Sequence, residues 1–413
     1  ISHDKLTPIM SEYREQRLLR EQQEQELIKN RHRTRRLIFV AGAIVSLLIV
    51  LLGVFLVWYD SNQREIVEYY NTMDKKYGLP YGIGKLSKAQ VRKRFVSYKF
   101  IRTGRANPVT RVEAVNGFDH LTRQHQTTTY LRKDESGNAV RKECIWEFIL
   151  DADKKYPVYE MAKDMAGNLV WGFVYSPNRD SSKVRASYIG PDGFPKAQQQ
   201  SKAEYIEIEY DENGFEKYLR YMDRLGNPMP GPDGAFGQMR EHDQNGLLIL
   251  IASIDGDGNF MIDNVGNCGM RHFYNEKGFL TSASSFDTTL SRRTPVTQGF
   301  DSLHISYDNF FNITKTEYFL SNKRCMESSG VSILQSEYTY SDSGIIFTAT
   351  YYDTLNEPVY SKEKIAGFEG IFDSYSNLVK ATNLDSDGNP CYSSEKIAGW
   401  ESDFDTLGNL VEI

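Results

Sequence analysis

Ser361-Lys-Glu-Lys-Ile-Ala-Gly-Phe-Glu369 returns 32 residues later as Ser393-Ser-Glu-Lys-Ile-Ala-Gly-Trp-Glu401. This echo is the sharpest instance of a period that runs through the C-terminal half. A fixed period of this length means stacked supersecondary units, each too small to bury its apolar face alone. An aromatic-Asp-x-x-Gly turn signature, in places decayed, begins at Asp211, Asp243, Asn275, Asp308, Asp342, Asp373 and Asp405, in steps of 32, 32, 33, 34, 31 and 32. A second turn follows at Asp223, Asp255, Asp287, Asp353 and Asp385, and a glycine closes the unit at Gly237, Gly269, Gly330, Gly367 and Gly399.

Within a unit the residues spell a hairpin. Tyr205-Ile-Glu-Ile-Glu-Tyr210 alternates apolar and acidic positions, the period-two pattern of a half-buried strand. Asp211-Glu-Asn-Gly214 supplies a turn, since Asp bonds the backbone ahead of it and Gly accepts positive φ. Phe215 to Met222 returns as the second strand. The 26 Tyr and 22 Phe suit such pleated, partly exposed surfaces. The aromatic ladder reads either as core packing or as a face that binds carbohydrate or peptide.

Leu37 to Tyr59 gives 23 residues without a formal charge, enough to cross about 30 Å of hydrocarbon as a helix. Arg31, Arg33, Arg35 and Arg36 stand directly before this span, and Trp58 and Tyr59 sit at its far end. The Lys/Arg excess marks the cytoplasmic side, so the N-terminus is expected inside and the C-terminal part outside. A signal peptide carries a shorter apolar run and does not follow 36 polar residues. Residues 1–36 hold nine Lys/Arg against six Asp/Glu, which leaves a formal charge of −9 for residues 37–413. That balance excludes nucleic acid as the partner of the outer part.

These observations predict a mainly β protein, with one transmembrane helix followed by an extracytoplasmic array of β-hairpin repeats of about 32 residues. Residues 1–36 read as a charged cytoplasmic helix, 37–59 as the membrane span and 60–97 as a helical linker. Residues 98–200 read as an irregular β or capping region and 201–413 as the repeat array. In the linker, Ser61 to Lys76 is expected to continue the helix, and Ser87 to cap a short helix reaching about Arg94. Four cysteines, at 144, 268, 325 and 391, show no C-x-x-C spacing, and their pairing stays open.

Signals for chemistry are weak. Gly78-Leu-Pro-Tyr-Gly-Ile-Gly84-Lys85 has phosphate-loop character, but its outer glycines are one residue too far apart and Leu86 replaces the metal-holding Ser or Thr. The segment reads instead as a turn joining helices. Asp255-Gly-Asp-Gly-Asn259 and Asp385-Ser-Asp-Gly-Asn389 resemble calcium loops without the glycine at the sixth position, so turn formation suffices. His242, His272 and His304 recur near the repeat spacing but out of alignment, and His120 and His125 lack the spacing of two ligands on one helical face. No nucleophile elbow or zinc-protease motif occurs. No enzyme, cofactor or metal is expected.

Tyr77-Gly-Leu-Pro-Tyr-Gly-Ile-Gly-Lys-Leu-Ser87, Ser97-Tyr-Lys-Phe100 and Arg111-Val-Glu-Ala-Val-Asn-Gly117 resemble the opening of the extracytoplasmic region of some bacterial membrane-anchored serine/threonine kinases. The resemblance implies a bacterial inner-membrane location, with Asp-x-x-Gly repeats in the periplasm or outside the cell. The chain itself has no His-Arg-Asp or Asp-Phe-Gly segment, and whether a kinase domain lies upstream of Ile1 stays open. The hairpins are also broadly similar to YD-type repeats, whose period is shorter. The expected role is binding or sensing a protein or glycan ligand, with a structural subunit of a membrane complex as the alternative. Candidate ligand contacts are Glu363, Lys364, Phe368, Glu395, Lys396 and Trp400. Only the Ser-x-Glu-Lys stretch is special to the last two units, because the aromatic falls where Phe300 follows Gly299 and so belongs to the shared scaffold. If the Gly-aromatic position is core, Trp400→Ala should cost roughly 3–5 kcal/mol.

Overall fold

The computed structural model describes residues 6–105, 107–122, 143–153, 155–177, 183–198, 202–264, 266–295, 299–405 and 410–412. The chain divides into two compact units, one formed by residues 1–64 with 104–106 and the other by 65–103 with 107–413. The first is built on helix α1 (Leu6–Asn62), which carries the charged segment and the apolar span without a break. It is long and apolar enough to cross a membrane, and its apolar side chains are exposed.

The second unit is built on one antiparallel sheet of 22 strands, with a separate two-stranded pair formed by Asp403–Phe404 and Leu410–Glu412. It opens with β1 (Glu65–Lys76), β2 (Leu79–Leu86), the short helix α2 (Lys88–Val91), β3 (Ser97–Thr103) and β4 (Arg111–Val115). It continues through β5 (Ile145–Leu150), β6 (Pro157–Lys163), β7 (Leu169–Pro177), β8 (Lys183–Ile189), β9 (Tyr205–Tyr210), β10 (Glu216–Met222), β11 (Gly237–His242) and β12 (Leu248–Ile254). Then come β13 (Gly269–Tyr274), β14 (Leu280–Phe286), β15 (Ser302–Tyr307), β16 (Ile313–Leu320) and β17 (Lys323–Arg324). The sheet ends with β18 (Ile333–Tyr340), β19 (Gly344–Tyr352), β20 (Gly367–Asp373), β21 (Leu378–Leu384) and β22 (Gly399–Glu401). β1 lies between β2 and β3, and from β3 onward each strand pairs with its chain neighbours, except that β16 takes both β17 and β18. The meander starts well before the expected array, because residues 98–200 supply β3 to β8 of the same sheet.

Residues 60–97 correct the expected helical linker. The helix stops at Asn62 and β1 begins at Glu65. Glu65-Ile-Val-Glu-Tyr-Tyr is rich in β-branched and aromatic residues, and β1 is paired on both edges, so tertiary pairing overrides continuation of the helix. The Gly78 segment closes a hairpin rather than joining helices, with Tyr77 and Gly78 both at positive φ. Ser87 caps α2 with a capping box to Gln90, but α2 is only four residues long.

Most repeats follow a three-turn course. The first turn follows Asp211: Asp211 Oδ1 accepts from the backbone N–H of Asn213 and Phe215, both at 2.9 Å, while Gly214 N–H donates to Asp211 O. Asp243, Asn275, Asp308 and Asp373 repeat this pattern. The fourth residue sits in the left-handed region in all five: Gly214, Gly246, Gly278, Phe311 and Ser376. The register slips by one residue beside each of these turns, as a bulge demands. After the second strand come a second Asp turn and a single bridge, such as Met222 to Pro228 or Leu384 to Pro390. A closing turn then leads into the next unit. The Ile189–Pro195 bridge has the same form, which places one more unit ahead of residue 201.

The opening strands do more than start the meander. The segment from β1 to about residue 120 runs as a strap past the row of first turns. Tyr77 N–H donates to Gly214 O at 2.6 Å, and Tyr81 OH to Asn245 O at 3.0 Å. Ile83 and Gly84 lie against Gly278. Arg94 donates to Phe310 O and Phe311 O at 2.8 and 2.6 Å, and Asn116 Nδ2 to Ser374 O at 2.8 Å. Arg94 and Asn116 thus serve the two turns whose left-handed residue is not glycine, where bare backbone strain is greatest. The core is correspondingly a chain of small clusters: one around Val96, Phe100, Val112, Trp146 and Phe148, a second around Tyr175, Ile206 and Ile208, a third around Leu250 and Phe286. Phe279, Leu86 and Val91 form the cluster that joins strap to array.

Candidate functional site

The closing turns locate the residues that sequence reasoning singled out. They span Gly231–Gly234, Asp263–Gly266, Glu327–Gly330, Ser361–Lys364 and Ser393–Lys396, each closed by the fourth N–H donating to the first carbonyl at 2.9–3.0 Å. Their fourth residues, Gly234, Gly266, Gly330, Lys364 and Lys396, all have φ between 62° and 88°. Lys364 and Lys396 therefore occupy a left-handed slot that is glycine in the other three turns, at a backbone cost of about 1–2 kcal/mol each. Gly330 belongs to this row. Gly237, Gly269, Gly367 and Gly399 form another, at the start of the next strand, where a Cβ would overlap the carbonyl oxygen of Leu219, Ile251, Ala349 or Ala381. At the level of the sequence the two rows share one spacing and look like a single closing glycine.

Successive closing turns are stitched together. Asn264 N–H donates to Asp233 O at 2.7 Å, Lys362 N–H to Ser329 O at 2.8 Å, and Ser394 N–H to Glu363 O at 2.7 Å. The last of these brings Glu363 and Lys364 alongside Glu395 and Lys396, all four exposed on one edge of the array. The aromatic members go elsewhere. The register Phe347–Gly370, Gly370–Ala381 and Ala381–Trp400 puts Trp400, Phe347 and Phe368 on one face, the face that also receives Phe95 from the strap. Phe368 packs 5.3 Å from Phe347 and is half-buried. Trp400 is 39% exposed, so the core reading of this position fails in the last unit.

Arg31, Arg33, Arg35 and Arg36 are exposed along α1, and so are Trp58 and Tyr59 toward its end. The calcium-like turns are spent on their own backbones. Asp255 Oδ1 accepts from Asp257 and Asn259 N–H, and its Oδ2 from the Asn259 amide at 3.2 Å. The backbone hydrogen bond from Asn259 leads the set that holds this carboxyl below the usual range. Asp385 is engaged by Asp387 and Asn389 in the same way. Among the described residues no three His, Cys, Asp or Glu side chains converge as a metal site. None of the four cysteines is in a disulfide. His304 lies against Phe319, His272 accepts burial beside Leu248 O with its pKa pushed down, and His120 bonds Ser374 O, so the histidines do not gather. His125 and the Asp134 turn lie outside the described residues.

One polar cluster escaped the sequence reading because five strands build it. Lys75 Nζ donates to Glu160 Oε2 at 2.6 Å, and Tyr175 OH donates to the same oxygen at 2.5 Å. Arg240 pairs with Glu216 at 2.5 Å, and His242 Nε2 lies 3.0 Å from Asp74 Oδ2 under the Phe215 ring. Asp74, Lys75, Glu216 and Arg240 line a cavity of about 260 Å³. Burial pushes the Asp74 carboxyl up, yet the His242 hydrogen bond and the Arg240 charge outweigh it and leave it below its ordinary value. Burial likewise opposes the charge on Lys75, but Glu160 and Glu216 raise its pKa overall. Each charge is answered within the cluster, which locks β1 onto β6, β7, β10 and β11.

No protein-family model and no curated protein matches the chain, so the resemblance to kinase-linked ectodomains has no family match behind it. Among solved structures, the crystal structure of TcdB2-TccC3 without hypervariable C-terminal region is 12% identical, with a TM-score of 0.25, covering 76% of this chain and 18% of that one. The crystal structure of TcdB2-TccC3 is 11% identical, with a TM-score of 0.20, covering 76% and 20%. The chain spans about a fifth of the length of these structures.

Proposed function

We propose that this is a single-pass membrane protein that holds its β-repeat array outside the cytoplasm and uses the closing-turn edge to bind a protein ligand. Binding there is reported through α1 to the cytoplasmic side. The observation that carries the reading is the repeated Glu-Lys pair on two stitched turns: Lys364 and Lys396 keep a left-handed backbone where other units have glycine. A residue retained against local strain at an exposed edge points to a use for its side chain. The uncharged span of 23 residues after a basic run supports the anchor and its orientation.

The test has two arms on the full chain in membranes. Protease protection should shield the array and leave residues 1–36 open from the cytoplasmic side; the opposite pattern overturns the topology. A photo-crosslinker placed at Lys362 should capture a protein partner, and Glu363→Ala with Glu395→Ala should abolish the capture. Capture that survives both substitutions overturns the edge as the binding site. A partner present at fixed stoichiometry under all conditions would favour a structural subunit over a receptor.

A further inference from the structure

The row of first turns is broken once. The turns at Asp211, Asp243, Asn275, Asp308 and Asp373 each close a three-residue loop with a bulge. Between β18 and β19 the loop is only Asp342–Ser343: Ser341 N–H donates to Gly344 O at 2.9 Å, and Gly344 N–H donates to Ser341 Oγ at 3.1 Å. Pairing runs from Ile333–Tyr352 to Tyr340–Ile345 without a slip. The loop is thus shorter by one residue than in the other five turns. Among the described residues, no strap group hydrogen-bonds this turn.

A cavity of about 570 Å³ opens at that point, and its lining is chemically distinct. Lys88, Arg92 and Lys93 of the strap face it, and none of them has an ion-pair partner among the described residues. Tyr69, Phe118 and Tyr340 give it aromatic walls, with Lys93 Nζ 5.1 Å from the Tyr340 ring centre. Two acids also line it. Asp119 is already engaged by Lys99 at 3.1 Å and by Tyr69 OH at 3.3 Å. That leaves Asp342 against three cations, within a stretch of chain whose formal charge is −9. Elsewhere on the strap, Lys75, Lys85, Lys99 and Arg102 are all paired with carboxylates.

We propose that this cavity binds a small phosphorylated, sugar-sized ligand. A guanidinium fork and two ammonium groups match a phosphate better than a neutral polar group, and Arg92 offers the bidentate geometry. The aromatic walls suit the ring that carries the phosphate. The volume falls within the roughly 300–1,000 Å³ typical of small-molecule sites and exceeds the needs of a bare ion. The site shares no residue with the closing-turn edge and stands independently of its role.

Isothermal titration of the full chain in nanodiscs of uncharged lipid tests this, with glucose 6-phosphate, glucuronate and glucose as probes. Glucose 6-phosphate should bind, glucuronate at least tenfold more weakly and glucose not measurably. The Lys88→Gln, Arg92→Gln, Lys93→Gln variant should bind glucose 6-phosphate at least tenfold more weakly. Its thermal unfolding should match the parent, since these side chains are exposed. Equal binding by parent and variant overturns the proposal and would point to other cations such as Arg31 to Arg36. Glucuronate binding as tight as glucose 6-phosphate overturns the phosphate assignment. Glu363→Ala with Glu395→Ala should leave this binding unchanged.

Discussion

Arg94 tests the strap most directly. Its side chain is fully buried and donates to Val96 O at 3.2 Å, Phe310 O at 2.8 Å, Phe311 O at 2.6 Å and Asn71 Oδ1 at 2.6 Å. Burial lowers its pKa to about 10, with Asp308 pulling the other way, so it remains cationic at neutral pH. Arg94→Met keeps most of the volume and removes every donor. Four hydrogen bonds from a charged group, at about 1.5–3 kcal/mol each, overstate the loss, because the guanidinium no longer has to be desolvated. Three carbonyls and an amide oxygen are nevertheless stranded, and Phe311 loses the contacts that hold its left-handed backbone. The net cost should be about 3–5 kcal/mol, the range for breaking a buried charged network. Arg94→Lys should lose about half as much, since one ammonium cannot span four acceptors. Urea unfolding of the full chain in detergent micelles, followed by its β-sheet circular dichroism, measures both. An Arg94→Met protein within about 1 kcal/mol of the parent would refute the reasoning, because desolvation would then cancel the bonds.

Lys364→Gly and Lys396→Gly should each raise stability by about 1 kcal/mol through relief of the left-handed backbone, while weakening ligand capture; equal or lower stability in thermal unfolding would count against strain. Gly269→Ala should cost about 1–3 kcal/mol, because its methyl would meet the Ile251 carbonyl and the Phe286 ring; urea midpoints decide. Asp74 has a folded pKa below its unfolded value, so its contribution is present above about pH 4 and lost as pH falls through the lower folded pKa. Asp74→Asn should therefore destabilise the protein at pH 7 and flatten the acid limb of its stability profile, and an unchanged limb would exclude the His242–Asp74 pair as its source.

The turns were legible because their chemistry is local: Asp211 reaches only the next four residues, and the motif repeats often enough to reveal its period. The left-handed slots of Lys364 and Lys396 were not, since nothing in a lysine announces positive φ, and the stretch looked like recognition alone. Ser61 to Lys76 misled because a helix precedes it and the strands that claim it, β2 and β3, come later. The strap and the Lys75–Glu160–Tyr175 cluster depend on residues 85 to 258 positions apart. Period and composition carry no trace of such pairings. The cation-lined cavity had one faint signal: the decayed turn Ser341-Asp-Ser-Gly344, where serine stands in place of the turn aspartate.

The strap also works as a ruler. Its contacts reach successive turns in order, from Tyr81 to Asn245, Arg94 to Phe310 and Asn116 to Ser374, across 164, 216 and 258 residues. Inserting or deleting one whole unit would leave every hairpin intact yet shift all later turns past their assigned donors. Arg94 would then meet a turn that does not need it, and Phe311 would lose its support. Open repeat proteins change length freely by duplication; here the count between Asp211 and Ser376 is fixed by a segment that lies outside the repeats.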